Sequence, residues 1–257
     1  MALLYVLWTT ALFALFAHGF VDASHTALQG ARANQARAEA QAMADGALAL
    51  GLLAVLDRDP ARVVLGPRQI DLPSGVAWLS VDDEAGKIDL NHAPPALLEA
   101  LFRATGSSDA GALTQAVLAT RARMAAGNRP GFAFPDTLGQ LPGMTPALMA
   151  RLSPAVTTLS RSEVVDPGVA GALAMAAATG LSPGAVTAFL AERPLLGRFA
   201  RPPGAADAAF TGALTGAGFT LHAAATRGDA RASRQLLLRP VPFAGRVGVA
   251  VVDWRAP

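Results

Sequence analysis

The first 21 residues, Met1 to Val21, contain no Lys, Arg, Asp or Glu, and the first formal charge is Asp22. About 20 consecutive, predominantly apolar residues is what an α-helix needs to cross the hydrocarbon core of a bilayer. The chain therefore begins in a membrane, and the rest hangs from one side of it. A cleaved secretory signal would carry a basic n-region and a shorter apolar stretch. Neither is present, so the segment reads as a retained anchor. With no basic flank, the positive-inside rule has nothing to act on. A basic leader upstream of Met1 is expected, either removed already or cut off by the choice of start.

The helical pattern continues past the anchor. Residues 23–56 lack proline and are rich in Ala, Leu, Gln, Arg and Glu, mostly strong helix formers. Met43, Ala47, Leu50 and Ala54 recur at helical spacing and form an apolar stripe expected to meet partner helices. Asp57 to Pro60 supplies a stop, because a proline disfavours the helical conformation in its predecessor. One helix of such length would be about 85 Å long at 1.5 Å per residue.

Strand-like pieces follow at Val76–Val81 and Lys87–Leu90, separated by a polar turn, Asp82 to Gly86. From Asn91 to about Leu196, short helices alternate with Pro and Gly. They are expected at 93–104, 112–125, 134–141, 146–152, 168–178 and 183–191. A Gly/Ala/Pro-rich connector occupies 197–218. Strands return at 219–226, 233–239 and 246–254. Strands on both sides of a helical block imply one sheet with helices inserted between its strands. The fold class is therefore α+β, with a long N-terminal helix packed on an antiparallel sheet. The expected parts are a membrane half-helix (1–21), helix and first strands (22–90), an inserted α-helical domain (91–200) and C-terminal strands (201–257).

The residues point away from catalysis. Cysteine is absent, and the 21 basic and 19 acidic residues leave a net charge of +2, so there are neither thiolate sites nor a basic face. His18, His25, His92 and His222 form no zinc-type pair. Ser153 and Ser160 have no nucleophile setting, and Gly212 to Gly218 is no phosphate loop. Asp82, Asp83, Glu84 and Asp89 are the most chemical-looking cluster. Calcium takes six to eight oxygen ligands, and this turn offers four carboxylates, although without EF-hand spacing. The preferred reading is a solvated hairpin turn with Asn91 as a helix cap.

Three stretches resemble the protein K family of type II secretion minor pseudopilins. The opening Ala2-Leu3-Leu4-Tyr5-Val6-Leu7-Trp8 is similar to that family's ALL-x-VLW start. The segment from Val81 to Asn91 is similar to its D-E-x-G-K-x-x-L-N block. Leu138 to Met144, followed by Leu152 to Thr157, is similar to a third. The resemblance implies a pseudopilin fold and a structural, non-enzymatic role. It also implies a single-pass inner-membrane protein with its bulk in the periplasm, matured by prepilin peptidase and methylation. Minor pseudopilins I, J and H are the implied partners, and nucleic acid is not one. Calcium binding is a family property, with no ligand set carried onto this sequence.

Most pilins have a Glu at the fifth mature position. Tyr5 stands there if Met1 is the first mature residue, and protein K members lack the Glu. A carboxylate in the bilayer core is costly and finds a partner, which in pilins is implied to be the preceding subunit's amino terminus. A subunit without one has no predecessor. The anchor residues Leu3, Leu4, Tyr5, Leu7 and Trp8 and the bulky insertion therefore point together to a cap at the pseudopilus tip, supporting export of folded proteins across the outer membrane.

The alternative is a membrane-anchored helix-hairpin-helix protein of the DNA-uptake type. Residues 88–98 and 141–144 are similar to such domains, whose hairpin glycines aim N–H groups at a phosphate. Here Arg103 to Gly106 has one Gly. After Gly143, Pro146 supplies no N–H, and Arg151 is the one basic residue of the next helix. Phosphate binding needs several such contacts.

Overall fold

A computed structural model describes residues 2–56, 66–72, 75–128, 131–197, 200–202, 210–212, 218–243 and 246–255. The chain opens as one helix, α1 (Ala2–Leu56), about 82 Å long at 1.5 Å per residue. The proline-free run of helix formers sets its length. The stop expected at Asp57 to Pro60 lies outside the described residues. No residue of Ala2–Val21 is buried.

Five strands form one antiparallel sheet: β1 (Gly66–Leu72), β2 (Gly75–Asp83), β5 (Phe219–Arg227), β6 (Ala230–Phe243) and β7 (Arg246–Arg255), in the order β1-β2-β5-β6-β7. Strands β2 and β5 are hydrogen-bonded neighbours, with Ala77 opposite Ala225 and Val81 opposite Leu221. Between them in sequence lies the whole helical block. The chain thus leaves the sheet at Asp83 and returns beside the same strand at Phe219.

The C-terminal part of α1 covers one sheet face. Its buried residues are Ala40, Met43, Ala44, Ala47, Leu48, Gly51 and Val55, a helical-period stripe. They pack with Ala77, Leu79, Val81, Phe219, Leu221, Ala223, Ala225, Leu236 and Leu238, the alternating inward positions of the strands. A Leu buried this way contributes roughly 1.5–3 kcal/mol. Gly51 permits the approach, since a Cβ there would stand 2.7 Å from Leu221 Cδ2.

The helical block has its own core. Helices α2 (Pro95–Ala104), α3 (Ala110–Ala126), α4 (Pro146–Leu152), α5 (Ala172–Thr179) and α6 (Pro183–Leu196) enclose Leu97, Leu98, Leu101, Phe102, Leu113, Val117, Leu138, Leu152 and Met175. The two-residue strands β3 (Ile88–Asp89) and β4 (Val156–Thr157) pair in parallel inside it.

Some elements differ from expectation. The stretch 134–141 holds a 3-10 helix at Pro135–Gln140. Helix α5 starts at Ala172, because Asp166 Oδ1 accepts the Gly168 N–H at 2.9 Å and holds a turn before it. Strand β1 has no counterpart among the strands expected from the sequence. It is an edge strand, and GPRQIDL alternates only between intermediate and exposed positions, which leaves little hydrophobic signature. Strand β6 passes through Pro240 and Pro242, opposite Val249 and Val247. Strand β5 begins opposite Leu238, so among the described residues β6 has a neighbour on one side only from Arg239 onward. Proline is tolerated where no ladder N–H is required.

Candidate functional site

The candidate carboxylates stand at the splice between sheet and helical block, where each is taken up separately. Strand β2 places Asp82 on the sheet face away from α1. Its Oδ2 lies 3.6 Å from His222 Nε2 on β5. Asp83, one residue on, caps the 3-10 turn Glu84–Gly86, with Oδ1 accepting the Ala85 N–H at 3.0 Å. Glu84 is 3% exposed. Its Oε1 accepts Lys87 Nζ and Thr220 Oγ1, each at 2.5 Å. A buried charge needs such compensation, since desolvation of an unpaired ion costs several kcal/mol.

Asp89 is the hub of the splice. It is 1% exposed. Oδ1 accepts the backbone N–H groups of Asn91 (2.8 Å) and His92 (3.1 Å) and faces His92 Nδ1 at 3.0 Å. Oδ2 accepts the Arg161 N–H at 2.8 Å and Ser160 Oγ at 3.3 Å. Among the described residues, no three His, Asp or Glu side chains converge as a metal would require. The four carboxylates point to different partners instead of one centre.

Asn91 does not cap a helix. The residue preceding α2 is Pro94, and it makes no side-chain cap bond. Asn91 instead clamps a distant backbone: its Oδ1 accepts the Phe132 N–H at 2.7 Å and its Nδ2 donates to the Phe132 carbonyl at 3.0 Å. Arg121, which no sequence motif marks, donates from Nε to the Leu90 carbonyl (2.6 Å) and from Nη1 to that of Ala93 (2.8 Å). Burial lowers the pKa of this guanidinium, and the charge of Asp89 opposes that shift. Gly86 is explained by contact: a Cβ there would lie 2.6 Å from the Val169 carbonyl oxygen. The stretch 81–91 and the stretch 152–157 meet directly, with Ile88 opposite Val156 and Asp89 opposite Thr157. Their shared work is to weld the helical block to the sheet.

Between the outer sheet face and the block lies a cleft of 890 Å³, with Asp82, Lys87, Thr220, His222, Gln235 and Arg193 among its lining. Burial lowers the His222 pKa; Asp82 opposes this, Lys87 adds to it, and Glu84 opposes it. Arg193 is spent on backbone, donating to the Ala170 carbonyl at 2.5 Å. The far edge of the block docks on the sheet through Arg255, which donates to Asp136 at 2.7 Å, pairs with Asp253 and stacks 5.0 Å over the Phe134 ring.

The expected partner stripe divides. Met43 and Ala47 are buried on the chain's own sheet, at 6% and 0% exposure. Leu50 is 45% exposed and Ala54 is half-buried. The α1 face that meets the sheet and the face open to a neighbour are therefore different faces. The anchor residues Leu3, Leu4, Tyr5, Leu7 and Trp8 are all exposed, between 62% and 81%. Helix α1 is long and apolar enough to cross a membrane.

At the hairpin positions, Gly106 and Gly143 adopt φ of +77° and +82°. Thr145 Oγ1 accepts the Leu148 N–H at 3.2 Å, and Pro146 opens α4. Arg151, its basic residue, donates to the Thr105 carbonyl at 2.8 Å. The Leu148 N–H and Arg151 Nη1 are thus engaged internally.

No family model and no curated protein matches the sequence. Among solved structures, a chain of the GspK-GspI-GspJ complex from the type 2 secretion system of enterotoxigenic Escherichia coli is similar, with a TM-score of 0.57 at 17% identity. The likeness covers 91% of this chain and 99% of that one. The fold is thus that of a pseudopilin.

Proposed function

We propose that the chain is a minor pseudopilin of a type II secretion system, of the protein K class. It is anchored in the inner membrane by Ala2–Val21, with its bulk in the periplasm. It sits at the pseudopilus tip with minor pseudopilins I, J and H and supports export of folded proteins across the outer membrane. One observation carries the reading: a helical block spliced between adjacent strands β2 and β5, in a chain that matches a GspK-GspI-GspJ component over 91% of its length. Fold alone does not fix function, so the architecture of the parts has to support the role.

It does so in three ways. Among the described residues, the apolar first third of α1 is exposed throughout, as an anchor requires. The membrane stretch holds no carboxylate, so it asks for no counter-charge from a subunit beneath it. The helical block adds bulk beside the sheet, where a further subunit would stack. The role is structural, and the hydrogen bonds at the splice serve rigidity. Deleting the gene in its native host should block release of secreted enzymes into the medium while leaving their passage into the periplasm intact. Normal release from the deletion strain would overturn the proposal.

A further inference from the structure

The sheet face turned away from α1 runs into the cleft under the helical block. Strand alternation fixes what that face displays. Ala77, Leu79 and Val81 pack with α1, so Trp78, Ser80 and Asp82 point the other way. The ladders set Trp78 between Gln69 and Ala224, and Ser80 beside His222, which neighbours Gln235. Trp78 is 50% exposed. Ala224 is small and exposed, so the ladder neighbour on that side does not cover the indole. Among the described residues of β1, β2, β5 and β6, Trp78 is the one large hydrophobic side chain that is exposed. Asp82 lies about 14 Å along β2 from it, at 3.4 Å per residue, and lines the cleft with His222 and Gln235. Asp82 and His222 are each a little under half exposed and stand 3.6 Å apart, beyond a hydrogen bond. Carboxylate and imidazole therefore keep capacity for an incoming group.

We infer that this face binds a neutral glycan chain, stacked on Trp78 and hydrogen-bonded along Ser80, His222 and Gln235 into the cleft, and that the chain is the glycan of the cell wall. A sugar ring presents a face of polarised C–H groups, which the negative π face of an indole attracts. Its rim carries hydroxyls that both donate and accept. A serine hydroxyl, a neutral imidazole and a carboxamide each offer both functions. A lone aromatic among such groups matches that pattern. A protein partner would ask for a larger apolar centre, since the buried cores of interfaces are more apolar than the surface around them. A polyanion would ask for unspent cations, whereas Lys87 is paired with Glu84 and Arg193 donates to the Ala170 carbonyl. The inference rests on the proposed function for its compartment. From Asp22 to Leu56, α1 rises about 52 Å at 1.5 Å per residue, which lifts the sheet off the anchor into the space where the wall lies.

The test sediments the full chain, in detergent micelles, with purified sacculi whose stem peptides have been removed. The expected result is retention in the pellet that soluble chitotetraose competes away. Trp78→Ala should lower retention about fivefold, the scale of a lost aromatic contact. Trp78→Phe should lower it less, and Gln235→Ala should lower it as well. Trp254→Ala, on the α1 side of the sheet opposite Leu236, should leave it unchanged. A melting temperature of Trp78→Ala close to that of the parent separates binding from folding; if that variant unfolds, Trp78→Phe and Gln235→Ala decide. No retention, or equal loss in Trp78→Ala and Trp254→Ala, overturns the inference. Retention on cellulose but not on sacculi places the ligand outside the wall and overturns it too. Because the chain lacks cysteine, Trp78→Cys installs a unique thiol for a maleimide–benzophenone photoprobe. Capture of pseudopilin I or J from that position would assign the face to a protein and also overturn the inference. Each of these outcomes leaves the proposed function standing. Normal release from the deletion strain combined with retention on sacculi would instead remove that function and leave the glycan site.

Discussion

The Asp89 carboxylate accepts the Arg161 backbone N–H at 2.8 Å, joining positions 72 residues apart. Both oxygens of this buried side chain are committed, one to the turn after β3 and one to the loop after β4. Removing it as Asp89→Ala should cost about 3–5 kcal/mol in urea unfolding, the range for breaking a buried charged network. Asp89→Asn, which keeps one acceptor, should cost less. Both losses should be the same in EDTA as in calcium, because the oxygens are filled by the protein. A loss seen only with calcium present would show instead that the carboxylate holds a metal.

Gly86 stands where a side chain would meet backbone. A Cβ would come within 2.6 Å of the Val169 carbonyl oxygen and 2.8 Å of the Ala170 Cα. Gly86→Ala should therefore destabilise by about 1–3 kcal/mol, the usual cost of overpacking. Gly139→Ala, with nothing within 4 Å, should be close to neutral. Equal thermal shifts for the two variants would contradict the contact.

Met43 and Leu50 separate folding from assembly. Met43→Ala should cost about 2–5 kcal/mol as a buried large-to-small change. Met43→Glu should cost more, by burying a charge. Leu50→Glu, at a position 45% exposed, should move stability by no more than about 0.5 kcal/mol while lowering secretion. Chemical denaturation paired with a secretion assay checks both halves.

His222 predicts a pH dependence. Its folded pKa lies below the ordinary histidine value, mainly through burial. The unfolded chain therefore binds more protons in the window between the two values, and stability rises with pH there. Stability contributed by this group is complete above about pH 6.5 and is lost as pH falls toward the folded pKa. His222→Gln should flatten that part of the stability–pH profile. An unchanged profile would assign the acid sensitivity to other groups.

The parts legible in the sequence were those with strong periodicity. The charge-free start and proline-free run marked α1, and the alternation in β2 and β5 marked the sheet interior. Strand β1 was hidden because half of an edge strand faces solvent, so Arg68 and Gln69 look like loop. The stripe Met43, Ala47, Leu50, Ala54 was a true helical repeat, but periodicity does not say whether a sheet or a neighbour covers it. The carboxylates at 82–89 looked like a single cluster because they are close in sequence. Their partners His222, Thr220 and Arg161 are distant in sequence, and tertiary contact alone shows that each carboxylate is occupied separately. Arg121 and Asn91 act on backbone carbonyls and amides, and no residue pattern announces that.

Size-exclusion chromatography with light scattering would detect assembly with other minor pseudopilins. Residues 24–257 retain every buried residue of both cores, and would be mixed with the soluble domains of pseudopilins I and J encoded in the same genome. A stable complex containing one copy of each is expected. A folded, monomeric fragment that elutes apart from both partners would rule out assembly with them.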